Sequence, residues 1–303
     1  MFLVETKKVL VTGASGFLGR HIANQLEVAG HRVVGMDLKE SQLNISEFVQ
    51  GDFTSKADLA GAMRQVDAVC HLGGVGDVYL AESDPSLAFH ANAYGTWVVC
   101  EVCRSRGVPL LVNASSWEVY GKVQYQPIDE SHPCNPESPY SISKLAGDLL
   151  ARRASQSDGL GVVVLRLGTA YGPYMRKSTV IRKFIELARA GQPLVVQGSG
   201  SQFRQFTHAY DIANAFAKVI SGTISDGVFN IVSRERTSII QLAKIISEEF
   251  SVPIEFRESR RDDPPSAEIS SERAREKLAW EQQISFQHGL RLLMTKSEEN
   301  GGN

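Results

Sequence analysis

The chain has 303 residues, and its 32 basic and 34 acidic side chains leave a formal charge of −2. At about 100–200 residues per domain, that length makes one large domain or two modest ones. Hydrophobic residues at 43% and charged residues at 22% exclude global disorder and fibrous architectures. The balanced charge argues against gripping nucleic acid or an anionic membrane as a main task.

The first residues, MFLVETKKVLVTGASG, carry lysines inside the early apolar stretch and lack a cleavage pattern, so no secretory signal is expected. No run approaches the roughly 18 apolar residues of a membrane helix. Four cysteines in 303 residues do not make a disulfide framework. Cys100 and Cys103 form a CxxC within a helical pattern, with no second pair and no flanking histidines. They read as two thiols on one helix rather than a redox or zinc site. A cytoplasmic location and no metal are expected.

In chain order, Lys8 to Thr12 reads as a buried strand and Phe17 to Ala29 as a helix that stops at Gly30. A strand from His31 to Asp37, a short helix from Asp58 to Met63 and a strand from Asp67 to His71 follow. Asp84-Pro85 opens a long helical run that ends at Gly107. Val108 to Ala114 and Gly161 to Leu167 are near-continuous apolar strands, with a helix from about Pro139 to Gln156 between them. Strands apolar on both faces and separated by helices predict an α/β fold with a doubly wound parallel sheet of Rossmann type.

Beyond residue 173 the alternation loosens. Helices are expected over Thr179 to Ala190, Asp211 to Ile220 and Ser238 to Phe250, and strands over Val228 to Val232 and Ile254 to Glu258. A proline-marked loop at Asp262 to Pro265 and two C-terminal helices complete the chain. The predicted division is a dinucleotide-binding domain of residues 1–173 plus 205–233, a smaller discontinuous lobe of 174–204 plus 234–296, and a tail of 297–303.

Directly after the first strand stands Thr12-Gly13-Ala14-Ser15-Gly16-Phe17-Leu18-Gly19. Such a glycine-rich turn lets backbone approach a ligand closely, and the helix it opens aims free N–H groups at a pyrophosphate. Its spacing is GxxGxxG. Asp37 ends the second strand 18 residues past Gly19, where an acid is expected to accept bonds from the adenosine ribose and repel a 2′-phosphate. That pattern points to NAD rather than NADP. No GxxxxGK[ST] is present, which disfavours a P-loop hydrolase.

Tyr140 and Lys144, in Tyr140-Ser141-Ile142-Ser143-Lys144, are four apart and share a helical face. A phenol ionises near pH 10 when free, and a nearby ammonium favours its anion. Such a tyrosine can take the proton of a sugar hydroxyl as hydride leaves the carbon. Ser115 and Ser116 end the preceding strand, at the edge where ligands bind in this architecture.

These motifs, with Gly51-Asp52-Phe53, HLGG at 71–74, NAYGT at 92–96, SSWEVYG, LRLGTAYGP at 165–173 and GSGSQFRQFTHAYD at 198–211, resemble the extended short-chain dehydrogenases of the NAD-dependent epimerase/dehydratase family. The resemblance implies NAD, a nucleotide-diphosphate sugar substrate and a homodimer built on a helix bundle. By the same resemblance Gly13, Ser15, Gly16, Phe17, Leu18, Gly19 and Asp37 hold the dinucleotide, and Asp52 and Phe53 lie by the adenine. Leu72, Gly73, Asn92, Ser115 and Leu167 line the cofactor path, and Tyr140 and Lys144 reach the nicotinamide ribose. Gly74, Ser116, Tyr140, Thr169, Arg204 and Arg261 face the sugar nucleotide, the arginines toward its phosphates. Thr169 stands where many members have Asn, and Gln205 where many have Asp.

The family's reactions part at Ser116-Trp117-Glu118. Glu118 matches the base of sugar dehydratases, and Trp117 replaces the aspartate of the thymidine-linked ones. A 4-epimerase of the UDP-glucose/UDP-galactose kind needs only Ser116, Tyr140 and Lys144. The sequence reading therefore favours a 4-epimerase, with a dehydratase or decarboxylase using Glu118, or a 4-ketosugar reductase, as alternatives.

Overall fold

The computed structural model describes residues 5–39, 43–156, 159–258 and 266–295. At its centre are seven parallel strands, in spatial order Asp226–Ile231, Gly161–Leu167, Leu110–Ser116, Ala68–His71, Lys8–Thr12, Arg32–Asp37 and Glu47–Gln50. Leu110–Ser116 is buried at every position. A strand walled on both sides needs that continuous apolar pattern. Helices Phe17–Val28 and Ala209–Ser221 cover one face, and Lys56–Ala62, Thr96–Arg106 and Pro139–Ala154 cover the other.

The order reverses at the first strand. Chain order runs outward from it in one direction through Arg32–Asp37 and Glu47–Gln50, and the next strand, Ala68–His71, sits on its other side. Neighbouring connections therefore leave on opposite faces, and a crevice opens at the carboxyl ends of these strands. A separate core forms from helices Val180–Arg189, Ile239–Phe250 and Phe286–Thr295 with the parallel pair Leu194–Gln197 and Ile254–Arg257.

Several elements differ from the sequence reading. The single helix expected from Asp84 is broken into Pro85–Phe89, a widened π-turn at His90–Gly95, and Thr96–Arg106, with a further helix Val78–Ser83 ahead of it. Thr96 Oγ1 donates to the Asn92 carbonyl at 2.7 Å, a side-chain bond that competes with the regular helical ladder. Glu47–Gln50 forms an edge strand that the sequence reading had not placed, being short and largely unburied. Thr169–Tyr171 pairs in parallel with Phe206–His208, and Phe203–Arg204 runs antiparallel to Thr237–Ser238. The expected loop at Asp262 to Pro265, Arg261 and the 297–303 tail lie outside the described residues.

Candidate active site

The glycine cradle sits at the carboxyl end of the first strand. Gly13 and Ala14 both donate N–H bonds to the Met36 carbonyl, at 2.8 and 3.2 Å. Gly13 has φ +70°, and a Cβ there would meet the Gly73 nitrogen at 2.8 Å. A Cβ on Gly19 would run into the Gly13 carbonyl, so the helix start can lie against the loop only if residue 19 is bare. Beyond this turn Asp37 Oδ2 accepts the Ser15 N–H at 3.0 Å, while Ser15 Oγ donates to the Lys39 carbonyl at 2.7 Å. The acid thus fixes the rim of the cradle while standing at the strand end where a ribose would meet it.

Asp52 and Phe53 occupy the next strand end but do different work. Asp52 Oδ1 accepts the Thr54 N–H at 2.8 Å, closing a tight turn. Phe53 lies under the backbone of Gly73 and beside Gly95, where added methyl groups would strike its ring. Asn92 is buried: its amide donates to the Val75 carbonyl and to Ser143 Oγ, each at 3.0 Å, and its oxygen accepts the Val75 N–H at 2.9 Å. It clamps the Leu72–Val75 loop to the Pro139–Ala154 helix.

That helix begins with a reciprocal cap. Ser138 Oγ accepts the Ser141 N–H at 3.2 Å, Ser141 Oγ accepts the Ser138 N–H at 3.2 Å, and Pro139 occupies the first turn. Such caps contribute about 1 kcal/mol, and this one fixes where Tyr140 leaves the helix. Tyr140 and Lys144 then face a cleft of about 410 Å³. Gly13, Gly16 to Gly19, Leu72, Gly74, Ser115, Ser116, Trp117, Glu118, Leu167, Thr169 and Arg176 line the same cleft. Most of the expected site residues are therefore brought together.

Electrostatics in the cleft differ from the sequence expectation. The Tyr140 phenol is pushed up to about 12 by its desolvating walls and by Glu118, with a hydrogen bond from Ser116 and the charge of Arg176 pulling the other way. The Lys144 Nζ donates to the Ala114 carbonyl at 2.6 Å. Burial brings the Lys144 ammonium down to about 8, while Asp148 opposes that shift. The Glu118 carboxyl is also raised by burial, against the guanidinium groups of Arg204 and Arg176.

Ser115, on the cleft wall, donates to Asp148 Oδ2 at 3.2 Å. Arg204 flanks a crevice beside the cleft, between Trp117 and Gln205, with its Nη1 on the Phe203 carbonyl at 2.8 Å. Gln205 is spent on structure: it donates to the carbonyls of Ser233 and Ile269 and accepts the Ile269 N–H. Arg176 escaped the sequence reading. It reaches the cleft from the loop after Thr169–Tyr171 and pairs with Asp77 at 3.2 Å. A lone arginine after Gly172-Pro173 carries no motif, so only its spatial placement reveals it.

A glycine cradle that admits no Cβ, an acid at the second strand end and a tyrosine–lysine helix fit a dinucleotide. They define an NAD-binding enzyme of Rossmann type. The model of the NAD dependent epimerase/dehydratase family matches residues 9–231. The chain belongs to that family, and NAD is its cofactor. It is 28% identical to a trifunctional UDP-glucose 4,6-dehydratase/3,5-epimerase/reductase of Arabidopsis thaliana, over 99% of this chain and 48% of the relative. The chain therefore spans about half the length of that relative. It is 29% identical to a UDP-glucose 4-epimerase of Mycolicibacterium smegmatis, over 93% of this chain and 96% of the relative. Its structure resembles a Thermotoga maritima UDP-glucose 4-epimerase crystallised with UDP-glucose, with a TM-score of 0.88 at 25% identity, covering 95% of this chain and 97% of that one. Among the described residues no group of three or more His, Cys, Asp or Glu could hold a metal, and no helix is long and apolar enough to cross a membrane.

Proposed function

We propose that the chain is a nucleotide-sugar 4-epimerase of the UDP-glucose/UDP-galactose type. The observation that carries this reading is the convergence of Ser116, Tyr140 and Lys144 on one wall of the cleft, beside a loop with Trp117 in place of an acid. Bound NAD supplies the hydride acceptor and, on the return, the hydride donor. The protein's part is proton handling and orientation. Tyr140 takes the proton of the C4 hydroxyl, Ser116 shares the hydrogen bond of that oxygen, and Lys144 places positive charge where the phenolate forms. The 4-keto sugar would then turn within the cleft to present its other face to the cofactor, and Tyr140 would return its proton to the C4 oxygen.

Gly74, Thr169 and Arg204 are assigned to the sugar nucleotide, with Arg204 toward its phosphates, and Arg261 is assigned there by the family resemblance alone. Asp37 is assigned to the adenosine ribose. The division into a dinucleotide domain of 1–173 plus 205–233 and a sugar-nucleotide lobe of 174–204 plus 234–296 is supported by the separate core of the lobe, while Ala274, Leu278 and Trp280 pack instead into the core of the dinucleotide side. A homodimer is supported by exposed Leu87, Phe89, Tyr94, Ile142 and Leu149 on the helices of one flank. A reducing, cytoplasmic setting is supported by four free thiols.

One observation favours a second reading. Glu118 lies in the same cleft with a carboxyl raised by burial, which suits a base for the sugar C5 proton in a dehydratase or decarboxylase. Incubation of the pure protein with UDP-sugars separates the two. A 4-epimeric product that survives Glu118→Gln supports the epimerase, whereas a stable 4-keto-6-deoxy product, abolished by Glu118→Gln, replaces it with the dehydratase.

A further inference from the structure

The helix that carries Tyr140 and Lys144 also carries Asp148, and positions 140, 144 and 148 share one face at successive turns. Strand Leu110–Ser116 lies against this face and meets it in three rungs. Ser116 lines the cleft together with Tyr140, Lys144 Nζ donates to the Ala114 carbonyl at 2.6 Å, and Ser115 Oγ donates to Asp148 Oδ2 at 3.2 Å. The first two rungs belong to the proton-handling pair. The third has no part in the reaction as drawn.

Asp148 is 0% exposed and its partner Arg166 is 1% exposed. Arg166 Nε donates to Asp148 Oδ2 at 3.0 Å. Oδ1 is buried with no hydrogen bond, and Arg152 Nη1 stands 3.9 Å from it. Leaving a buried acceptor unsatisfied costs about 1–3 kcal/mol, and a buried ion pair is often no more stabilising than apolar side chains of the same volume. Stability alone therefore gives little reason for a carboxylate here, and what it faces gives a better one.

The groups around Lys144 can be taken element by element. On its own helix stand Tyr140 and Asp148. His71, on the neighbouring strand Ala68–His71, is held neutral by burial, its pKa lowered to about 3, and Lys144 itself contributes to that lowering. Glu118 and Arg176 line the cleft with it. Arg166, Arg152 and the Cys134 thiol cluster around Asp148, on the side away from the cleft. Of these, Asp148 is the anion that works against the desolvation of the Lys144 ammonium.

We propose that Asp148 is a positioning residue of the active site, keeping Lys144 charged and, through Ser115, fixing the strand end that aims Ser116. This rests on the reading of Tyr140 and Lys144 as the proton-handling pair. The arrangement gives the helix a division of labour: the group at 140 moves the proton, the group at 144 supplies charge, and the group at 148 maintains that charge.

The test is a direct titration of lysine side chains by ¹³C NMR of the full-length protein, with the Lys144 signal assigned by its loss in Lys144→Arg. In Asp148→Asn the Lys144 midpoint should fall by about one unit or more, the usual effect of losing a close opposite charge. Asp148→Glu should restore it, and Ser115→Ala, which keeps the charge, should leave it in place. If Asp148→Asn does not fold, Asp148→Asn combined with Arg166→Gln is compared with Arg166→Gln alone, so that the difference in Lys144 midpoint isolates the Asp148 charge. With activity as the readout, the alkaline limb should move to lower pH in Asp148→Asn, with the loss shrinking toward pH 6. An unchanged Lys144 midpoint with activity reduced equally at every pH overturns the proposal and leaves Asp148 a purely structural residue. If the unaltered protein turns over no sugar nucleotide, the functional reading fails, while the lysine titration still decides the role of Asp148.

Discussion

The two walls of the cleft are built on different principles. The dinucleotide wall is made of backbone: bare glycines, strand ends and N–H groups whose positions follow from the parallel sheet. The opposite wall is made of side chains carried on short strands and loops, chiefly Thr169 and Arg176, with Arg204 at the crevice beside it. A backbone site tolerates little change in sequence, because each Cβ has a fixed place to collide. A side-chain site can be rebuilt one residue at a time. The cofactor half of such an enzyme should therefore be held constant while the substrate half diverges.

Three perturbations test that contrast. The largest effect is expected at the helix between the walls. Tyr140→Phe should lower turnover by about 10²–10⁴-fold, the usual contribution of a positioned acid or base. Because Tyr140→Phe keeps the ring and removes only the hydroxyl, circular dichroism should remain near that of the parent. A variant that retains turnover would remove the phenol from the chemistry altogether.

Next is the backbone wall. Gly19→Ala places a methyl group against the Gly13 carbonyl and near the Ala14 Cα. Overpacking of this kind costs about 1–3 kcal/mol, so a lower melting temperature is expected, along with at least about tenfold weaker NAD affinity by titration calorimetry. Unchanged affinity would show that the cradle has slack and that the contrast between the walls is overdrawn.

The smallest effect is a slope in acid. His71 behind the backbone wall is buried and lowered to about 3, and His208 beside the lobe is buried and lowered to about 4. Each is held neutral in the folded chain, whereas its unfolded counterpart protonates near pH 6.5. The unfolded state thus binds more protons below that pH, so stability falls as pH drops from about 6.5 to about 4 for His208 and on to about 3 for His71. The slope is at most about 1.4 kcal/mol per pH unit per histidine. Urea midpoints between pH 7.5 and 5 measure it, and His71→Asn should flatten its share.

Legibility in the sequence follows the same division. The sheet was readable because KVLVT, GVVVLRL and similar runs are apolar on both faces, which only a covered parallel sheet requires. The cradle was readable because glycine at 13 and 19 marks backbone constraints directly. Arg176 was not, since nothing local distinguishes a cleft arginine from a solvated one. Gln205 looked like a departure at a ligand position, yet its amide joins Ser233 to Ile269 across the lobe. The helix break at His90–Gly95 was invisible because it accompanies tertiary bonds from Asn92 to Val75 and Ser143, beside a local bond from Thr96 to the Asn92 carbonyl. Asp148 sat within a recognised helix but meant nothing until Ser115, Arg166 and Lys144 were seen to surround it.

Asp77 caps the helix Val78–Ser83 with one carboxylate oxygen and holds Arg176 with the other. Both side chains of that pair are partly open to water, so the tie is weak, worth about 0–1 kcal/mol. Salt competes readily for so exposed a guanidinium, while the other carboxylate oxygen keeps Asp77 on the helix end. The place of Arg176 along the cleft is thus set by a tie that added salt should loosen.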